Sequence, residues 1–107
     1  MEKVYIFSKT HSYSYLLENN LVNKAFKTRE RCEEIVKNIC EKKYGKPMFS
    51  ENSVFVKLVK QYWAGDFSME VLEEKIGSKK TTDTAFNSAL YYDFKNLFWI
   101  EEFEIAD

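Results

Sequence analysis

Apolar and polar positions follow two different periods along this chain. Cys32, Ile35, Val36, Ile39 and Cys40 recur at i, i+3, i+4, i+7 and i+8, which puts all five on one face of a helix. Arg31, Glu33, Glu34, Lys37, Asn38, Glu41 and Lys42 fill the opposite, solvated face. Thr28 is placed to cap the first turn with its hydroxyl. Gly45, just past Tyr44, can take the left-handed conformation that ends a helix. An apolar stripe of this kind needs a surface to cover, and the two ends of the chain supply one. Lys3 to Lys9 (KVYIFSK) is rich in β-branched and aromatic residues and predicts a strand. Its unbroken run Val4-Tyr5-Ile6-Phe7 suits a central strand covered on both faces. Asn96 to Ile105 (NLFWIEEFEI) predicts the closing strand. Leu97, Trp99, Phe103 and Ile105 share one face, interrupted by Glu101, while Phe98, Ile100, Glu102 and Glu104 lie on the other.

Between these ends, Thr10 to Ser14 predicts a turn, and Tyr15 to Phe26 a return strand with a bend or bulge at Asn19-Asn20. After Gly45, Lys46 to Phe49 breaks regular structure. Ser50 is the expected cap of a second helix running to about Ala64, with Phe55, Leu58, Val59 and Tyr62 at helical spacing and Val54, Val56 and Trp63 widening the stripe. A third helix is expected over Ser68 to Ile76, closed by Gly77. Ser78 to Thr81 is expected to be an exposed loop. Thr82 is placed to cap a fourth helix through about Tyr92, and a strand over the same residues stays open as the alternative. All three glycines fall at predicted helix ends, so none is left for a phosphate-cradling loop.

The class this predicts is α+β: a three-stranded, mostly antiparallel sheet in the order 2-1-3 with three to four helices packed on it. A right-handed crossover from the second strand to the third makes those two parallel to each other and antiparallel to the centre. The 107 residues are expected to form a single domain, with residues 44–96 as a helical insertion.

Composition narrows the field further. A content of 45% hydrophobic and 31% charged residues fits a soluble globular protein. No apolar run approaches the roughly 20 residues that span a bilayer, and Met1-Glu2-Lys3-Val4 lacks the basic and apolar segments of a secretory signal. The expected location is therefore the cytoplasm, with no membrane partner. Cys32 and Cys40 sit eight residues apart on one helix, about 12 Å, against a limit near 7 Å for a disulfide. Both are expected to be small buried hydrophobes. With His11 as the only histidine, no set of soft ligands assembles, and neither a metal nor a cofactor is expected. Charge is polarised: residues 1–60 carry 12 Lys and Arg against 7 Asp and Glu, while residues 61–107 carry 4 against 10.

Lys3-Val4-Tyr5-Ile6, the run Phe26-Lys27-Thr28-Arg29-Glu30 leading into the helix, and the ending Trp99-Ile100-Glu101-Glu102-Phe103-Glu104-Ile105-Ala106-Asp107 resemble a group of small uncharacterised α+β proteins of phages and mobile elements in Gram-positive bacteria. The resemblance covers the two ends of the chain and implies a strand, a hairpin return, a helix after Phe-x-Thr-x-Glu and a final Ile-Glu-Glu-aromatic strand. It also implies a phage-like origin. It brings no active site with it, and the stretch from about Tyr44 to Asn96 departs from the group.

No catalytic arrangement is legible. His11 lies near Ser12 and Ser14, but nucleophilic catalysis also needs a group to orient the base and a site for the oxyanion. Glu102 and Glu104 share a strand face, most simply the solvent face. Lys24, Lys27, Arg29 and Arg31, with Lys42, Lys43 and Lys46, keep a nucleic-acid-associated accessory role open as the alternative, although the pI is about 5.9 and no binding motif is present. The nine Phe, seven Tyr and two Trp are more informative, because Tyr and Trp are over-represented at protein interfaces. Tyr13, Tyr15, Tyr91 and Tyr92 fall in polar surroundings and, with Lys79 and Lys80, are the expected partner-binding residues. The expected function is a non-enzymatic protein-binding module, in its concrete form an anti-CRISPR or other anti-defence inhibitor acting on a host defence effector. Homo-oligomerisation stays open.

Overall fold

The computed structural model describes residues 2–8 and 24–106, which separate into two compact units. Residues 1–39 and 94–107 make up the first unit and Cys40–Asp93 the second. The expected turn over Thr10–Ser14 and the bend at Asn19-Asn20 lie outside the described residues.

In the first unit, β1 (Lys3–Phe7), β2 (Ala25–Phe26) and β3 (Ile100–Glu104) form one sheet in the order β2-β1-β3. Both pairings are antiparallel, with Tyr5 opposite Phe26 and the β3 register running from Lys3 opposite Glu104 to Phe7 opposite Ile100. The predicted class and strand order are therefore correct. The central position of β1 comes from having a hydrogen-bonded neighbour on each side. Cover on both faces does not follow from it: Val4, Tyr5 and Ile6 are half-buried and only Phe7 is buried. β3 is also shorter than the pattern predicts. The preceding helix runs to Lys95, and the Leu97 and Phe98 amides then donate to the Phe94 and Lys95 carbonyls at 3.1 and 3.3 Å, a turn that uses up Asn96–Phe98.

Helix α1 (Arg29–Tyr44) starts where Thr28 predicts, with the Thr28 hydroxyl accepting from the Arg31 amide at 3.2 Å. It ends at Gly45, whose φ of 76° is left-handed and whose amide donates to the Glu41 carbonyl. Its apolar stripe turns inward: Cys32, Ile35, Val36 and Cys40 are buried and Ile39 half-buried. Both cysteines are free thiols. The Cys32 thiol lies 4.0 Å from the Tyr5 carbonyl, which seats the first turns of the helix on the sheet. Burial pushes that thiol's pKa up, and Cys32 packs fully buried under the sheet.

The second unit is built around α2 (Val54–Trp63), α3 (Met69–Ile76) and α4 (Lys79–Lys95, whose last residues belong to the first unit). Two predicted starts move. The cap of α2 is Ser53, whose hydroxyl accepts from the Phe55 amide, while Ser50 closes a preceding turn by accepting the Ser53 amide on its carbonyl. Ser78, not Thr82, opens α4: its hydroxyl accepts from the Thr81 amide, and its carbonyl accepts from the buried Thr82 hydroxyl at 2.7 Å. Thr82 is thus an interior residue of the first turns, and the segment expected to be either helix or strand is helix. Val56, Val59, Leu72, Ile76, Ala85 and Ala89 form the core of this unit, with Phe49, Phe55, Tyr62 and Phe86 packed against it.

One contact fixes the irregular stretch after Gly45. The Phe49 amide donates to the Ser88 hydroxyl at 3.2 Å, and the Phe49 carbonyl accepts from the Tyr92 hydroxyl at 2.9 Å. Ser88 and Tyr92 are one helical turn apart on α4, so a single turn satisfies both backbone groups of one loop residue.

Candidate protein-binding surface

Strand β3 carries the most exposed aromatic side chains of the sheet. The Ser8 amide donates to the Trp99 carbonyl and the Ile105 amide to the Glu2 carbonyl, both at 2.9 Å, so the β1–β3 register continues past each end of β3. Side chains alternate along such a ladder, which sets Trp99, Glu101, Phe103 and Ile105 on one face together with Val4, Ile6 and Ala25. Trp99 is 60% exposed, Phe103 48% and Ile105 42%. This row of large apolar groups faces outward in sheet register. The exposed large apolar residues of the second unit, Met48, Val54, Trp63 and Met69, belong instead to a loop, to the two ends of α2 and to the start of α3.

The other face is polar at one end and buried at the other. Phe7 meets Phe26 edge-on at 5.8 Å, and both are buried. At the polar end the Tyr5 hydroxyl donates to Glu102 Oε1 at 3.1 Å and Lys3 Nζ lies 3.6 Å from Glu102 Oε2. The Arg29 guanidinium sits 5.5 Å over the Tyr5 ring. The hydrogen bond to Glu102 raises the Tyr5 pKa above its ordinary value. Exposed charge pairs of this kind contribute about 0–1 kcal/mol and serve mainly to align the strands.

Among the described residues no strand pairs with the outer edge of β3. Trp99 and Ile105 pair toward β1, and in an antiparallel ladder such residues alternate with ones whose amide and carbonyl point away. Ile100, Glu102 and Glu104 therefore direct their backbone groups outward, and β3 ends the strand order.

The residues singled out from sequence are not gathered into one patch. Tyr13, Tyr15 and His11 lie outside the described residues. Lys79 and Lys80 are exposed in the first turn of α4, whereas Tyr91 and Tyr92 lie 12 positions further along it, about 18 Å at the helical rise. Tyr91 is buried, and burial raises its pKa. Tyr92 is half-buried, meets the Tyr91 ring edge-on at 5.2 Å and spends its hydroxyl on Phe49. The polar neighbours of these two tyrosines in the sequence occupy other faces of the helix. Several cations of the basic cluster are engaged within the first unit: Lys24 lies over Phe26 at 5.8 Å, Arg29 over Tyr5, and Arg31 pairs with Glu34 at 3.2 Å. Among the described residues no three His, Cys, Asp or Glu side chains gather to hold a metal, and no helix is long and apolar enough to cross a membrane.

The hydrophobic pattern of the closing strand carries a signal for Trp99 and Phe103. Glu101 stands on one face of the strand and Glu102 and Glu104 on the other. A strand with carboxylates on both faces is buried on neither, so the aromatics between them must reach solvent. Comparison with protein-family models, curated proteins and solved structures finds no match to the chain.

Proposed function

We propose that this chain is a non-enzymatic protein-binding module of phage or mobile-element type that docks through the open face of its sheet. The observation that carries this reading is the aligned, exposed row Trp99, Phe103 and Ile105 beside Val4 and Ile6. Aromatic anchors rimmed by charge are the composition of interface hot spots, and Trp99, Phe103 and Ile105 are all exposed. The resemblance of the chain ends to phage proteins supports a more concrete form: an anti-CRISPR or other anti-defence inhibitor whose partner is a host defence effector. The basic cluster supports a nucleic-acid accessory role less well, because Lys24, Arg29 and Arg31 already have partners of their own.

Affinity capture from a bacterial lysate, with mass spectrometry, tests the binding reading. A partner should be recovered by the native chain and lost with Trp99→Ala/Phe103→Ala. The absence of any reproducible protein, or equal recovery by the double variant, removes it. The anti-defence form is tested by plating phage on a CRISPR-immune host that expresses the chain. Restored plaque formation is expected, and unchanged immunity refutes that form alone.

A further inference from the structure

We propose, resting on the protein-binding reading above, that the outer edge of β3 takes up an extended basic segment of the partner as a fourth strand. Three observations converge on that edge. The outward amides and carbonyls of Ile100, Glu102 and Glu104 end the sheet without a neighbouring strand among the described residues, which is the template that strand addition uses. Beside them stands the exposed row Trp99, Phe103 and Ile105, which offers apolar contact to alternate residues of an added strand. Three carboxylates, Glu101, Glu102 and Glu104, are exposed along the same five residues, and among the described residues only Glu102 has a cation, Lys3.

Charge decides who can occupy the edge. A second copy of the chain adding β3 to β3 antiparallel meets like charge in every central register. Centred on residue 101, Glu101 faces its own copy. Centred on 102, Glu102 does. Centred on 103, Glu102 and Glu104 face each other twice. Like charges directly opposite in a ladder are destabilising, so these acids guard the edge against self-pairing. A basic strand reverses the sign of each contact. Running antiparallel and read opposite Ile105 back to Ile100, the complementary pattern is apolar, basic, apolar, basic, basic, apolar. Its basic groups meet Glu104, Glu102 and Glu101, and its apolar groups meet Ile105, Phe103 and Ile100.

The probe is the synthetic peptide Val-Lys-Val-Lys-Lys-Val-Val, titrated into the full chain and followed by Trp99 fluorescence and by backbone amide NMR. Its controls are the Glu-for-Lys peptide and a copy N-methylated at the second, fourth and sixth residues. Glu104→Pro is the decisive variant. Proline removes one outward amide and leaves the inward ladder intact, because an edge strand tolerates it where the amide faces solvent. Expected are binding of the basic peptide only, weakened by salt, with about tenfold or greater loss on N-methylation and in Glu104→Pro. The melting temperature of that variant should remain near native. Equal binding of the N-methylated peptide, or by a folded Glu104→Pro chain, overturns strand addition in favour of charge alone. No binding of either peptide overturns it too, as does concentration-dependent self-association lost in Glu104→Pro. If Glu104→Pro unfolds, the N-methylated peptide decides alone. A lysate partner retained by Glu104→Pro but lost with Trp99→Ala/Phe103→Ala refutes the edge and leaves the protein-binding function standing.

Discussion

The Phe49 latch offers the sharpest test of how the second unit is held together. Tyr92→Phe deletes one hydroxyl and leaves the ring, so the Phe49 carbonyl loses its 2.9 Å donor while the packing stays. Tyr92 and Phe49 are half-buried, so water can partly replace the bond, and the loss should be near the net worth of a hydrogen bond, about 1 kcal/mol. Ser88→Ala should cost more. Ser88 is fully buried, so the Phe49 amide is left facing a methyl group at a penalty of about 1–3 kcal/mol. The better helix propensity of alanine returns roughly 0.5 kcal/mol of that. Both bonds end on one residue, so losing either frees the loop, and the double variant should cost less than the sum by about 0.5 kcal/mol or more. The assay is urea unfolding in a Trp99→Phe background, where Trp63, edge-on to Phe86 at 6.1 Å, reports on the second unit. For a chain of 107 residues, 1 kcal/mol corresponds to about 4–5 °C in a parallel thermal melt. Unchanged midpoints for both single variants would show that the latch carries no stability. Strict additivity would show that the two bonds do not act through Phe49.

On α1, Ile35→Ala should destabilise by about 2–5 kcal/mol and Ile39→Ala by distinctly less, because Ile35 is buried and Ile39 only half so. Urea midpoints for the pair check this, and equal losses would refute the burial argument. Burial also raises the pKa of Tyr91 and of Tyr92 above the ordinary value near 10. A phenol whose folded pKa is raised gives stability that is complete below pH 10 and is lost as pH climbs through the folded value. Stability should therefore fall in alkali with a slope reduced by Tyr91→Phe; native tyrosines ionising at the ordinary value, read at 295 nm, would contradict it.

Much of the fold was legible because local chemistry and burial agree. Thr28, Gly45 and the stripe from Cys32 to Cys40 each point to α1, and the structure uses each as expected. Boundaries slipped where two candidates stood a few residues apart. Ser50 and Ser53 both precede an apolar run, and only the backbone path decides which hydroxyl reaches the first amides. Thr82 reads as a cap by type, yet four residues upstream Ser78 supplies the same chemistry and Thr82 is drawn inside. The surface was less legible for a different reason. Aromatic residues serve both core and interface, and neighbouring polar residues do not separate the two on a helix, as buried Tyr91 shows. On a strand the alternation does separate them, which is why Trp99 and Phe103 were within reach of pattern alone.

The pairing of Lys3 with Glu104 has a consequence for the order of events during synthesis. β1 leaves the ribosome before all the helices and must wait for them before its β3 neighbour exists. Contacts so distant in sequence form late and slowly, whereas the second unit is one uninterrupted stretch that can condense as soon as residue 93 is out. A nascent chain thus can complete its helical unit before β3 is available to pair. A chain that stalls before residue 100 lacks β3 and leaves β1 without its neighbour on that side.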